Sequence, residues 1–200
     1  DKGYSPEVLA LTATPIPRTL AFTIHGDMHI SIIDELPKNR LPIITKVMEP
    51  DRMDQVYDFM KKEMDAGQQC FVIYPIIEES EKMDWKASDT GFKNLSEKVF
   101  IDYKVGYIHG KMKKETRDEQ MAAMANNDVQ CLVATTVVEV GIDIPNATVM
   151  VIENADRFGL TQLHQLRGRI GRGSSQSYCV LVKNSRSAEA EHRLKVMEST

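Results

Sequence analysis

The chain has 200 residues, 42% of them apolar and 27% charged, and its 25 basic and 29 acidic side chains leave a net charge of −4. This is ordinary globular usage, which excludes a disordered tail, a fibrous repeat and a histone-like basic protein. The longest apolar runs, FVIYPII and TVMVI, fall far short of the roughly 20 residues that span a bilayer, so no membrane partner is expected.

In chain order, DKGYSPEVLALTATP lacks the basic-then-apolar pattern of a secretory leader. Residues 1–40 hold LALTATPIP, a helical stretch around Arg18–His25 and a strand-like HISIIDELP. The turn-rich PKNRLP follows as a linker, and 1–40 reads as the tail of a preceding domain. From there, short runs rich in Val, Ile, Tyr and Phe predict strands at Ile43–Met48, Gln69–Pro75, Lys104–Ile108, Gln130–Ala134, Thr148–Ile152 and Ser177–Val182. Between them, Arg52–Asp65 carries Met53, Val56, Tyr57, Met60 and Met64 at helical spacing. Lys113–Ala125 is a second helix, stopped by Asn126-Asn127-Asp128. The polar segment Glu78–Asn94 reads as a loop, with Trp85 as a local packing anchor. Alternation of this kind predicts one doubly wound α/β domain over 41–200, its sheet mostly parallel and covered by helices on both faces. Cys70, Cys131 and Cys179 are widely spaced and odd in number, which suits a reduced, cytoplasmic protein.

The sharpest chemical signal is Gln165-Leu166-Arg167-Gly168-Arg169-Ile170-Gly171-Arg172-Gly173. It lies in a window, Leu160–Arg186, that has five Lys or Arg and no acid. Guanidinium is a planar fork of donors suited to phosphate oxygens, and glycine lets backbone approach a ligand. A basic turn made only for solubility would mix in acids and would not need the glycines. A second signal, Ala134-Thr135-Thr136-Val137-Val138-Glu139-Val140-Gly141-Ile142-Asp143-Ile144-Pro145, begins where a predicted strand ends. Ligands collect at that end of open α/β sheets, although an ordinary strand-to-helix connection would also fit. Leu11–Arg18, with two prolines, and Tyr107–Lys114, with lysines where a helix begins, are weaker alone. No G-x-x-x-x-G-K-[ST] loop is present, and His25 and His29 lack a third ligand, so no metal site is expected.

Together and in this order, TATPIPRTL, IHGKM, ATTVVEVGIDIP and QLRGRIGRG resemble the second half of a superfamily 2 helicase motor. YPIIEESEKMDWKA and IENADRFGLTQLHQLRGRIGRG are similar to the RecG family of DNA branch-migration helicases. The transcription-repair coupling translocase shares two of these motifs and is the alternative. An RNA helicase lobe, or a RecA-like module that binds nucleic acid without catalysis, is a further one.

The resemblance implies a RecA-like lobe (41–200) preceded by the end of a first motor lobe (1–40), with ATP held between the two lobes. It implies Arg169 and Arg172 as arginine fingers with Gln165 beside them, and Gly141 and Asp143 facing the nucleotide. Thr135, His109, Gly110 and Lys111 fall on the nucleic-acid side. Thr12 and Thr14 would link nucleotide state to DNA contact. The ligands of Mg²⁺ are expected in lobe one, and the partner is forked or branched DNA. The expectation is that lobe one apart from residues 1–40, the wedge domain and most of the translocation motif are not in this sequence, and that these residues alone hydrolyse no ATP.

Overall fold

In a computed structural model of the chain, residues 31, 40–75, 81–135, 144–185 and 187–200 are described, the side chains of 81–85 excepted. The chain divides into two units, 1–36 and 37–200, and every described residue but Ser31 lies in the second.

Six apolar runs become strands: β1 (Ile44–Met48), β2 (Gln69–Tyr74), β3 (Val105–Ile108), β4 (Cys131–Thr135), β5 (Ala147–Ile152) and β6 (Tyr178–Val182). They form a single sheet in the order β1-β6-β5-β2-β4-β3, and every pairing is parallel. Parallel neighbours need a return connection, which α1 (Met53–Asp65), α2 (Glu81–Asn94), α3 (Lys114–Ala125) and α4 (Leu160–Arg167) supply, and α5 (Ala188–Ser199) follows the last strand. The α/β class with a parallel sheet is as the periodicity predicts, and each predicted strand lies within a residue or two of its observed bounds.

Alternation along the strands separates two cores. Phe71, Ile73, Leu132, Ala134, Met150, Ile152, Cys179 and Leu181 face one way and meet Met124 of α3, Leu163 and Leu166 of α4, and Leu194 and Met197 of α5. Cys70, Val72, Cys131, Val133, Val149, Val151, Val180 and Val182 face the other way and meet Val56, Met60 and Met64 of α1 with Leu95 and Phe100. All six residues of β5 are buried, as a central strand covered on both faces requires. The three cysteines are buried and unpaired with one another.

One sequence expectation is corrected, and one helix is new. Residues 81–94 of the expected loop form α2, which runs into a further wide turn over Leu95–Val99. Its inward positions Ser88, Phe92 and Leu95 do follow helical spacing, but a serine contributes no hydrophobic signal. Gly91 completes that face because the Tyr74 ring occupies the space where a Cβ would stand. Helix α5 was also not anticipated; its buried residues Ala190, Leu194 and Met197 are spread thinly among charges.

Candidate functional site

The parallel sheet has two chemically different ends, and the singled-out residues divide between them. At the amino ends of the strands lies the arginine turn. Helix α4 buries Leu163 and Leu166, and Gln165 is partly buried beside them. The helix then tightens: the Gly168 N–H donates to His164 O at 3.0 Å, Arg169 N–H to Leu166 O at 2.9 Å and Ile170 N–H to Arg167 O at 3.3 Å. Ile170 is fully buried and pins the turn. Arg169 is partly buried and Arg172 is exposed, so neither is enclosed in the lobe.

Two of the glycines make close approaches within the chain itself. Gly171 sits at φ +72°, where an L side chain is strained, and a Cβ there would be 3.0 Å from Ile43 Cγ1. A Cβ on Gly173 would be 2.6 Å from Pro145 O. Both close approaches are to the protein's own chain. They dock the arginine turn onto the segment before β1 and onto the end of the segment that holds Gly141 and Asp143. Two side chains reinforce this: Arg40 Nη2 donates to Ile170 O at 3.3 Å, and Gln176 Nε2 donates to Pro42 O at 2.6 Å. Arg40 was missed because a basic residue in the turn-rich PKNRLP carries no periodic signal.

At the opposite, carboxyl ends the strand register produces a polar row. Ile108 lies beside Ala134, Ala134 beside Ile73, and Ile73 beside Ile152. The next residue on each strand is His109, Thr135, Tyr74 or Glu153. Tyr74 pairs with Thr135, and the Glu153 N–H donates to Ile73 O at 2.8 Å. Thr135 is 0% exposed, and its hydroxyl has no hydrogen-bond partner among the described residues. His109 is partly buried, which holds its pKa below the ordinary range against the opposing pull of Asp89. Its ring lies 5.2 Å from that of Tyr107, which stacks on Phe92 at 4.9 Å. Gly110 and Lys111 follow, both exposed, in the turn that leads to α3.

Thr135, His109, Gly110 and Lys111 are therefore gathered at one end, while Gln165, Arg169 and Arg172 are gathered at the other. Gly141, Asp143, Thr12 and Thr14 lie outside the described residues.

Glu153 is an addition to the set. Burial pushes its carboxyl up to about 7, and its charge helps burial raise Tyr57 to about 12 and Tyr74 further. The sequence signal was an acid directly following an apolar strand, TVMVIE. The sign of its effect is fixed by linkage. Below the ordinary value of 4.5 the carboxyl is protonated in both folded and unfolded chains; between there and about 7 only the unfolded chain ionises, so stability falls as pH rises. Glu153→Gln is expected to flatten that decline and to raise stability near pH 8. Urea midpoints near pH 5 and pH 8 check it, and an unchanged difference between them would remove the assignment.

The model of the helicase conserved C-terminal domain matches residues 51–174, which covers both ends of the sheet. The chain belongs to the helicase C-terminal domain family. Over its full length it is 53% identical to the ATP-dependent DNA helicase RecG of Synechocystis and 46% identical to that of Bacillus subtilis. It covers 24% and 29% of those two proteins, about a quarter of their length. A solved structure of RecG bound to a three-way DNA junction superposes with TM-score 0.77 at 44% identity, over 93% of this chain and 24% of that chain. The RecA-like lobe expected from the motifs is thus the observed fold.

Proposed function

We propose that this chain is the C-terminal motor lobe of an ATP-driven DNA helicase that remodels branched DNA in recombination and repair. The observation that carries this reading is the separation of the two groups of residues, with guanidiniums at one end of the sheet and the polar row at the other. Such a lobe presents one end to a triphosphate and the other to a nucleic-acid backbone. The likeness to RecG over the whole chain supports DNA as the polymer, and the junction-bound relative supports a branched form.

In this reading residues 1–40 close a first lobe and 41–200 form the second. Arg169 and Arg172 meet charge that develops on the γ-phosphoryl group, where a fork of donors fixed in advance is most effective. Gln165 orients them, and Gly141 and Asp143 face the nucleotide. Mg²⁺, with ligands from the first lobe, neutralises phosphate charge when bound. Thr135, His109, Gly110 and Lys111 hold the DNA backbone, and Thr12 and Thr14 couple the two ends. The orphaned Thr135 hydroxyl suits a phosphate acceptor, although this end of the sheet must open around the buried side chain for one to reach it. Contacts of this kind carry no base sequence, so recognition is of DNA shape.

The test compares ATP turnover of the full-length protein with forked DNA, linear duplex and RNA. Strongest stimulation by forks is expected, and preference for RNA would reject the assignment. In the same assay Thr135→Ala is expected to lower stimulation by DNA several-fold, about 1–2 kcal/mol of coupling, and to leave basal turnover unchanged. Equal losses in both would place Thr135 outside the DNA contact.

A further inference from the structure

Arg167 is the arginine of the turn that the finger reading leaves without a role. Its Nη1 lies 3.3 Å from Thr45 Oγ1, 3.1 Å from Met197 O and 3.4 Å from Thr200 Oγ1. Its Nη2 lies 3.2 Å from His164 Nδ1. Guanidinium has no acceptor, so His164 accepts through Nδ1 and is neutral, in line with a pKa lowered by burial and by Arg167. Thr45 is a buried residue of β1, and Met197 lies in the last turn of α5. One side chain therefore joins α4, β1 and the carboxyl end of α5, where a cation also meets the negative end of the helix dipole.

The geometry of the turn gives this tie a consequence. Residues two apart on a helical turn are separated by about 200° around its axis and do not share a face. The turn continues through Arg169, whose N–H donates to Leu166 O at 2.9 Å. With Arg167 drawn against β1 and α5, Arg169 is set on the other side of the turn. Arg40 holds the same turn through Ile170 O.

We propose that Arg167 is a positioning residue: by fixing α4 to β1 and to the last turn of α5, it sets the direction in which Arg169 and Arg172 are presented. The proposal rests on reading those two as arginine fingers. A guanidinium withdrawn to contact phosphate instead would leave Met197 O and the two threonine hydroxyls without this donor. It also makes the finger turn sensitive to movement of the carboxyl end of α5.

The experiment measures kcat, KM for ATP and thermal midpoint in the full-length protein for Arg167→Gln, Thr45→Val, Gln69→Leu and Arg172→Ala. Misplaced fingers lower kcat and leave ground-state binding nearly intact, so Arg167→Gln is expected to lose about 10- to 100-fold in kcat with KM for ATP changed less than about threefold. Thr45→Val, which removes one acceptor at a residue 5% exposed, should shift kcat in the same direction by a few-fold. Gln69→Leu breaks a buried clip to Met124 O and Val129 O, neither of which is a partner of Arg167; it should lower the thermal midpoint and keep kcat. A tenfold rise in KM for Arg167→Gln would make Arg167 a direct phosphate contact and overturn the proposal. So would unchanged kcat in both Arg167→Gln and Thr45→Val while Arg172→Ala is inactive. If Arg172→Ala itself stays active, the finger reading falls, and the positioning role falls with it.

Discussion

Arg172→Ala in the full-length helicase is expected to remove DNA-stimulated ATP hydrolysis and to leave ATP affinity within a few-fold of the parent. A finger acts on charge that appears only as the γ-phosphoryl group transfers, so its loss falls on turnover by about 10³–10⁵-fold, not on ground-state binding. Arg172 is exposed, and it follows a glycine whose φ of +72° reverses the chain and turns this segment out of the core. Arg169→Ala should act in the same direction. Arg172→Lys should recover little, because an ammonium is a point charge without the planar fork. Steady-state turnover with forked DNA, together with equilibrium binding of an ATP analogue, checks the pair of expectations. Near-normal turnover of Arg172→Ala would refute the finger assignment.

Gly173→Val is expected to destabilise the 200-residue chain itself, with no ligand present. The Cβ position is 2.6 Å from Pro145 O and 3.4 Å from Pro145 C, both backbone atoms that cannot rotate away. Either the arginine turn or the start of β5 must shift. Overpacking of this kind costs about 1–3 kcal/mol, which for a chain of this size lowers the melting midpoint by about 3–10 °C. Gly171→Ala should cost a comparable amount, because a left-handed conformation in a residue with a Cβ costs about 1–2 kcal/mol and Ile43 crowds the site. The measurement is a thermal melt of each variant. If the glycines were there to admit a ligand, both melts would match the parent and only ligand binding would suffer.

The strands were legible because buried parallel strands are continuous apolar runs, and CFVIY, CLVAT and TVMVI leave little choice. Helix α1 was legible through Val56, Met60 and Met64. Helices α2 and α5 were not, because each buries only a few side chains: in α2 one of them is Ser88, and in α5 Ala190, Leu194 and Met197 are spread among charges. The arginine segment stood out by its residue types, but which guanidinium turns inward depends on where Thr45 and Met197 arrive in space. Arg167 and Thr45 are 122 positions apart in sequence. The polar row was half visible: His109, Thr135 and Glu153 each directly follow a predicted strand and Tyr74 lies near the end of another, but only the register brings the four side by side.

The uniform direction of the strands has a mechanical consequence. Every strand starts at the guanidinium end, and β2, β3, β4 and β5 finish at the polar row, so these strands, four to six residues long, hold the two ends about 13–20 Å apart. Load applied at one end is carried by six stiff struts in tension or compression together, and the lobe transmits force as a block instead of bending between its ends.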